Sequence, residues 1–307
     1  MTVDFHVHST ASDGTCSPAE LAEKSKGFAA IALTDHDNCD GVVEFLSCAS
    51  LTSGKDSASP FKVAGIELSI EPGKGFDKFH LLGLGIDPKN EGLRTFLKRI
   101  LDGRNDRNAR ILANFRRLGI EMEYPCASSN NQAIFSYAHG EVLARPHFAR
   151  WLVDHGHAAD MKEAFAKYLL PDSPDATRCY EERWHPPQEK AFRAIHEAGG
   201  ICVMAHPKYW RNEWKATGPD YAAADRELAA LKERGLDGVE SLYQANTNEE
   251  NIAFTRIATK LGYLKTAGSD FHGANKPTIP LGMEVSEAFI GPVLERLGRP
   301  SWADSHV

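Results

Sequence analysis

The chain has 307 residues, is 42% hydrophobic and carries a formal charge of −7. That length bounds it to one large barrel or two ordinary domains with a substantial core. The acidic balance argues against nucleic-acid binding by the whole surface, and no apolar run approaches the ~20 residues that span a bilayer.

In chain order, a strand is expected at 3–8, close enough to Met1 to leave no room for a signal peptide. Ser17-Pro18-Ala19-Glu20 reads as an N-cap, a first-turn proline and a first-turn acid. A strand at 30–35 leads to a helix at 40–48, a polar loop at 49–60 and strands near 61–68 and 79–86. Residues 91–119 then set Phe96, Leu97, Ile100, Leu101, Ile111, Leu112, Phe115 and Leu118 at helical spacing, which predicts a long amphipathic helix or a broken pair. A Ser- and Asn-rich loop at 127–132 precedes helices at 139–155 and 160–169. No strand pattern falls between about 90 and 170, so this stretch reads as a helical insertion. Alternation resumes with helix 186–198, strand 201–205, helix 220–234, strand 237–243, helix 247–261 and strand 263–268. Periodicity alone gives an α/β fold with a helical insert.

Residues 91–150 hold ten Lys/Arg against six Asp/Glu, a local +4 suited to an anionic ligand or to a solvated helix face. The six cysteines, at 16, 39, 48, 126, 179 and 202, form no Cys-x-x-Cys pair. Neither a disulfide framework nor a thiolate zinc site is expected, and a reducing cytoplasm is the natural location.

Five segments carry the chemistry. Asp4-Phe5-His6-Val7-His8, Ile31-Ala32-Leu33-Thr34-Asp35-His36, Val63-Ala64-Gly65-Ile66-Glu67, Ile201-Cys202-Val203-Met204-Ala205-His206 and Lys265-Thr266-Ala267-Gly268-Ser269-Asp270-Phe271-His272 each end in an imidazole or a carboxylate. In barrels of alternating strands and helices the C-terminal strand ends converge on one face. Imidazoles and carboxylates converging there suit several divalent metals. One His-x-His pair on a strand face is ordinary; five such ends are not.

His6-Val7-His8-Ser9 with Ser12-Asp13-Gly14, then Thr34-Asp35-His36-Asp37, Gly65-Ile66-Glu67 and Gly268-Ser269-Asp270-Phe271-His272-Gly273 resemble the PHP family, named for its polymerase and histidinol-phosphatase members. Arg145-Pro146-His147 and Lys167-Tyr168-Leu169 resemble the branch acting on nucleotides and phosphorylated ribose. The resemblance implies a distorted (β/α)7 barrel with a helical cap: barrel at 1–90, insertion at 91–172, barrel again at 173–295 and a tail at 296–307. It implies three divalent ions, Mn(II), Fe(II) or Zn(II). His6, His8, Glu67 and Asp270 would hold the first, Glu67, His80 and His206 the second with Glu67 bridging, and Asp13, His36 and His272 the third. His80 lies in Phe79-His80-Leu81, the form of a strand ligand.

Closely spaced metals lower the pKa of a shared water and clamp a phosphoryl group in line. The expected activity is hydrolysis of a small phosphorylated metabolite, a nucleoside phosphate or bisphosphate or a ribose phosphate, by a metal-bridging hydroxide. The alternatives are a cyclic phosphodiesterase, a 5′-3′ exoribonuclease trimming short RNA, or a non-catalytic PHP module. Arg145 and His147 are expected at the substrate, with Asp37 and His147 as candidate acids for the leaving group. After Ala205-His206-Pro207, nucleotide-specific relatives often carry glycine and then arginine. Here Lys208-Tyr209-Trp210-Arg211 follows, so either Lys208 or Arg211 takes over a phosphate contact or the substrate differs. Tyr137, Tyr168 and Trp184 are aromatics that could stack on a base, though packing is their commoner role. The expected partner is a small anionic ester, with no membrane and no stable nucleic-acid complex.

Overall fold

The computed structural model of the chain describes residues 1–48, 59–71, 78–122, 143–211 and 214–298, without the side chains of 215 and 216. Cys126, Tyr137, His139, His306 and the loop at 127–132 lie outside the described residues. Seven strands build the sheet, with helices between all of them but β3 and β4: β1 (Thr2–Val7), β2 (Ala30–Leu33), β3 (Phe61–Ile70), β4 (Phe79–Leu84), β5 (Ile201–Met204), β6 (Gly238–Tyr243) and β7 (Leu264–Gly268). They pair in sequence order, and a parallel bridge from Val7 to Phe271 brings the first strand back to the end of the last. The result is a nearly closed barrel. A two-residue strand, β8 (Met283–Glu284), adds to the free edge of β1.

Among these strands β4 runs antiparallel to both neighbours, β3 and β5. A simple alternation of parallel strands and helices does not anticipate this. The chain from β3 to β4 is short, too short for a helical crossover, and a short link favours antiparallel pairing. The reversal puts the first residues of β4, not its last, on the face where the other strands end.

The helices on the first half of the barrel are α1 (Pro18–Lys24) and α2 (Asp40–Ser47). Ser17 and Glu20 close a reciprocal cap on α1, worth about 1 kcal/mol. From the far end of β4, α3 (Glu91–Arg117) climbs for 27 residues, roughly 40 Å at 1.5 Å per residue. Its lower part, Leu93, Leu97 and Ile100, joins the apolar cluster shared with β3, β4 and α6 (Gln188–Glu197). Its upper part, Ile111, Leu112 and Phe115, belongs to a separate cluster with Phe148 and Trp151 of α4 (Arg145–Asp154) and with Tyr168 and Leu169. α5 (Met161–Ala164) runs on into a π-turn over Phe165–Leu169. This cap core reaches Cys179, beyond residue 172. α7 (Trp214–Thr217), α8 (Tyr221–Lys232) and α9 (Asn248–Lys260) complete the second half. α10 (Glu287–Arg296), which the sequence pattern does not announce, buries Ile290, Val293 and Leu294 against a cluster containing Val3, Phe5, Leu84 and Val203. Among the described residues no helix is long and apolar enough to cross a membrane, and the described cysteines are free.

Candidate metal centre

Among the described residues, three outside glycine have positive φ: Asp37 (56°), His206 (27°) and Asp270 (60°). All three follow the ends of barrel strands. Each such backbone costs about 1–3 kcal/mol and persists only where its surroundings hold it. Here the left-handed turns swing His206 and Asp270 inward, to meet the groups from β1 and β3.

Glu67 is the hub. Its Oε1 lies 2.8 Å from His80 Nδ1, 3.2 Å from His206 Nε2 and 3.4 Å from His6 Nε2. Its Oε2 lies 2.9 Å from His36 Nδ1 and 3.2 Å from His8 Nε2. Asp270 Oδ1 sits 3.5 Å from His8 Nε2 and 3.7 Å from His6 Nε2. Asp13 lies 3.2 Å from His272 Nε2 and 3.8 Å from His36 Nε2. All nine expected ligands are therefore brought together. They form overlapping groups: His6, Glu67 and His206; His6, His8 and Asp270; and His8, Asp13, His36 and His272. His8 belongs to the second of these groups and to the third. His80 reaches Glu67 from the start of the reversed strand β4.

The donor atoms test whether metal fits. Five of them, His6 Nε2, His8 Nε2, Asp13 Oδ1, His36 Nδ1 and Glu67 Oε2, are buried with no hydrogen-bond partner. Unpaired buried groups of this kind cost about 1–3 kcal/mol each, more when charged, and here they converge. Burial opposes ionisation of Asp13, Glu67 and Asp270, yet the surrounding imidazoles outweigh it and hold all three carboxyls well below their usual range. Ionised carboxylates and inward ring nitrogens are what a divalent cation requires.

Outer partners aim these ligands. His6 Nδ1 lies 3.1 Å from Glu240 Oε1, which fixes the tautomer and leaves Nε2 for a metal. The other oxygen of Glu240 accepts from the His206 amide at 2.6 Å. His272 Nδ1 donates to the Asp270 carbonyl at 2.8 Å. Gly268 permits this packing: a Cβ there would fall 2.1 Å from Glu240 Oε1. Asp35 accepts from the Ser9 amide at 2.7 Å and from the Ser9 and Ser12 hydroxyls at 2.6 and 2.5 Å. Asp4 ties the Ser269 amide and hydroxyl and the Gly282 amide to β1, and burial pushes its carboxyl up to about 6. Sequence reading missed Glu240. An acid inside the apolar run of β6, Gly238-Val239-Glu240-Ser241-Leu242, is the signal that could have found it.

The centre opens into a cavity of about 1290 Å³ whose other wall belongs to the cap. Arg145 lines it, donating to the Leu169 carbonyl at 3.2 Å with its guanidinium over the Tyr180 ring. Arg104, Arg107 and Arg183 line it too. On α3, Arg104, Arg107 and Asn108 interrupt the apolar face between Ile100 and Ile111, a legible sign of a buried polar contact that went unread.

Four expected contacts are corrected. Asp37 Oδ2 accepts from Arg104 Nε at 2.7 Å and Arg183 Nη2 at 2.8 Å. Burial opposes its charge, but those guanidiniums hold the carboxyl far below its usual range, so it has no proton to donate. His147 Nδ1 accepts from the Ala144 amide at 2.9 Å, capping α4, and His147 is not among the residues lining the cavity. Lys208 donates to the Ala245 carbonyl and to Glu250, each at 2.7 Å, and Arg211 pairs with Glu227. Both basic groups are taken up by acids of α8 and α9 and, for Lys208, by a carbonyl of the loop after β6. Of the aromatics, Tyr168 packs into the cap core and Trp184 stacks under Arg99.

A family model described as PHP domain matches residues 4–144. The chain is 32% identical over 272 residues to a 3′,5′-nucleoside bisphosphate phosphatase of Chromobacterium violaceum, covering 88% of the chain and 87% of the relative. It is 29% identical over 272 residues to a 5′-3′ exoribonuclease of Haemophilus influenzae, covering 88% and 89%. A solved structure from Chromobacterium violaceum, described as an amidohydrolase with bound sulfate and no metal, matches with a TM-score of 0.76 at 28% identity over 99% of this chain and 100% of that one.

Proposed function

We infer the function from one premise: the chain belongs to the PHP family, and it is a metal-dependent phosphoesterase, a hydrolase of phosphoric esters. The substrate assigned is a small phosphorylated metabolite, a nucleoside phosphate or bisphosphate or a ribose phosphate. The observation that carries this reading is the meeting of two unlike walls in one cavity, converging ligand atoms on one side and arginines on the other. A phosphatase relative and a sulfate-bound relative support the choice of an oxyanion substrate.

His6, His8, Asp13, His36, Glu67, His80, His206, Asp270 and His272 would hold up to three divalent ions, and nitrogen with oxygen donors suits Mn(II), Fe(II) or Zn(II). Such ions, when bound, acidify water and offset the charge of the phosphoryl group. The chain's own residues do the rest. Glu240 and the Asp270 carbonyl keep His6 and His272 in the required tautomers. Arg145 offers a fork to phosphate oxygens and orients the ester against the barrel face. The cap covers the cavity and limits water around the reacting group. No serine or cysteine nucleophile is invoked. Residues 91–172 are assigned to the cap by sequence, although the packing of α3 divides that helix between cap and barrel.

A second reading, trimming of short RNA from a 5′ end, is favoured by the volume of the cavity and by the exoribonuclease relative. One experiment separates the two: phosphate and nucleotide release by Mn(II)-reconstituted protein from phosphomonoesters, bisphosphates, cyclic diesters and short 5′-phosphorylated RNA. Phosphate release from mono- or bisphosphates supports the first reading. Nucleotide release from RNA with inert monoesters replaces it with the second, and inactivity on every ester overturns both.

A further inference from the structure

We propose that the outer face of α9 is a dimerisation surface, on which a second copy of this chain packs antiparallel about a two-fold axis at Ile252.

α9 lies on β6 and β7 with Ala253, Phe254, Ile257 and Ala258 buried beneath it. The opposite side of the helix carries Ile252, which at 69% is the most exposed large hydrophobic side chain among the described residues. A lone exposed isoleucine is ordinary. This one stands at the rim of a cavity of about 820 Å³, whose walls include Leu242 of β6, Asn251 and Thr255 of α9 and Phe289 of α10. None of the residues lining this groove lines the metal cavity, so a partner seated here need not cover the metal centre.

Charge says which partner fits. Glu249 and Arg256 are both exposed, and neither forms an ion pair among the described residues. At about 100° per residue they lie on the same side of Ile252, about 60° and about 40° round the helix from it. Along the axis they are displaced in opposite directions, Glu249 by about 4.5 Å towards the N-terminus and Arg256 by about 6 Å towards the C-terminus. A two-fold axis through Ile252 therefore sets each Glu249 against the Arg256 of the other copy. It also brings Asn248 towards the other copy's Thr255, on the far side of the isoleucine. The two Ile252 side chains meet at the axis and close the rims of both grooves. One patch thus complements itself, which is the requirement of an isologous interface. Lys260 is balanced by Asp225. The charges of Glu249, Arg256, Lys260 and Asp225 cancel, so two chains of formal charge −7 can meet here without local repulsion.

The test is sedimentation velocity on the full-length, Mn(II)-loaded protein between about 1 and 100 µM. Wild type is expected to pass from monomer to dimer within that range. Ile252→Glu, at an exposed position, is expected to stay monomeric throughout. Glu249→Arg and Arg256→Glu each bring like charges together twice per dimer, and each is expected to weaken the dissociation constant at least about tenfold. The double variant restores opposite charges and is expected to return to within about threefold of wild type. A wild type that is monomeric throughout overturns the proposal and leaves the groove to a different protein. A dimer that Ile252→Glu does not weaken overturns it by placing the interface elsewhere. Single reversals without effect, or a double variant no tighter than the singles, overturn the two-fold pairing on which it rests.

Discussion

Two walls of one cavity are charged by different means. On the barrel side, imidazoles and carboxylates stand at strand ends, and backbone pairing sets their positions, as in the parallel bridge between His36 and Glu67. On the cap side, long arginine side chains arrive from residues 104, 107, 145 and 183, and a single aspartate gathers two of them. The barrel wall is therefore rigid because the sheet is rigid. The cap wall depends on Asp37, which itself sits on the barrel. Loss of a barrel ligand is expected to remove chemistry and leave the fold; loss of Asp37 is expected to loosen the fold and leave the ligand atoms in place.

The sharpest way to break this contrast is Glu67→Gln. Turnover is expected to fall by about a thousandfold or more, with reduced metal content and an unchanged far-ultraviolet spectrum. Full metal occupancy with near-normal phosphate release would remove Glu67 from its central position. Next is Asp37→Asn, which keeps the shape and tolerates the left-handed backbone. It leaves two buried guanidiniums without a carboxylate, and urea unfolding is expected to show a loss on the order of 3 kcal/mol. A smaller loss in the presence of phosphate than in its absence would sharpen the picture, since the anion would replace the missing charge.

Arg145→Ala tests the cap wall alone. A fall in kcat/KM of about a hundredfold, roughly 2.7 kcal/mol, is expected with metal content unchanged. Equal kinetics on every substrate would take Arg145 out of the binding surface. The smallest effect is on pH. His185, in the same cavity, is pushed down to about 3, first by burial and then by Arg183 and Lys78. The unfolded chain takes up this proton near pH 6.5, so the unfolded state binds more protons below that pH. The contribution is full above about 6.5 and declines as pH falls towards 3. Allowing for its partial exposure, about half a kcal/mol should be lost between pH 6.5 and 5.5, and His185→Gln should flatten that segment of the stability curve.

The barrel wall was legible in the sequence and the cap wall was not, for a physical reason. His6-Val7-His8 and Gly268-Ser269-Asp270 carry their meaning in adjacent residues, because a strand end sets side chains by alternation. Arg104 and Arg183 are 79 residues apart, and only the fold shows that they share Asp37. Lys208 and Arg211 misled because charge next to a ligand histidine suggests a phosphate contact, whereas Glu250 and Glu227 on neighbouring helices claim both. The helix α10 escaped notice because Gly291-Pro292 inside it reads as a break.

The reversed strand β4 has a mechanical consequence. Because it delivers the chain to the floor of the barrel, α3 must rise past the whole wall before it reaches the cap, and it is glued to both cores on the way. It thereby acts as a ruler. Leu93, Leu97 and Ile100 set its zero, and Arg104 and Arg107 mark a fixed height along the cavity wall. One residue inserted between 101 and 103 would lift everything above by about 1.5 Å and turn it by about 100°, swinging both guanidiniums off the cavity. Below the second arginine the phase of the helix must be kept; beyond it, a change of cap must still return Arg145 to the cavity.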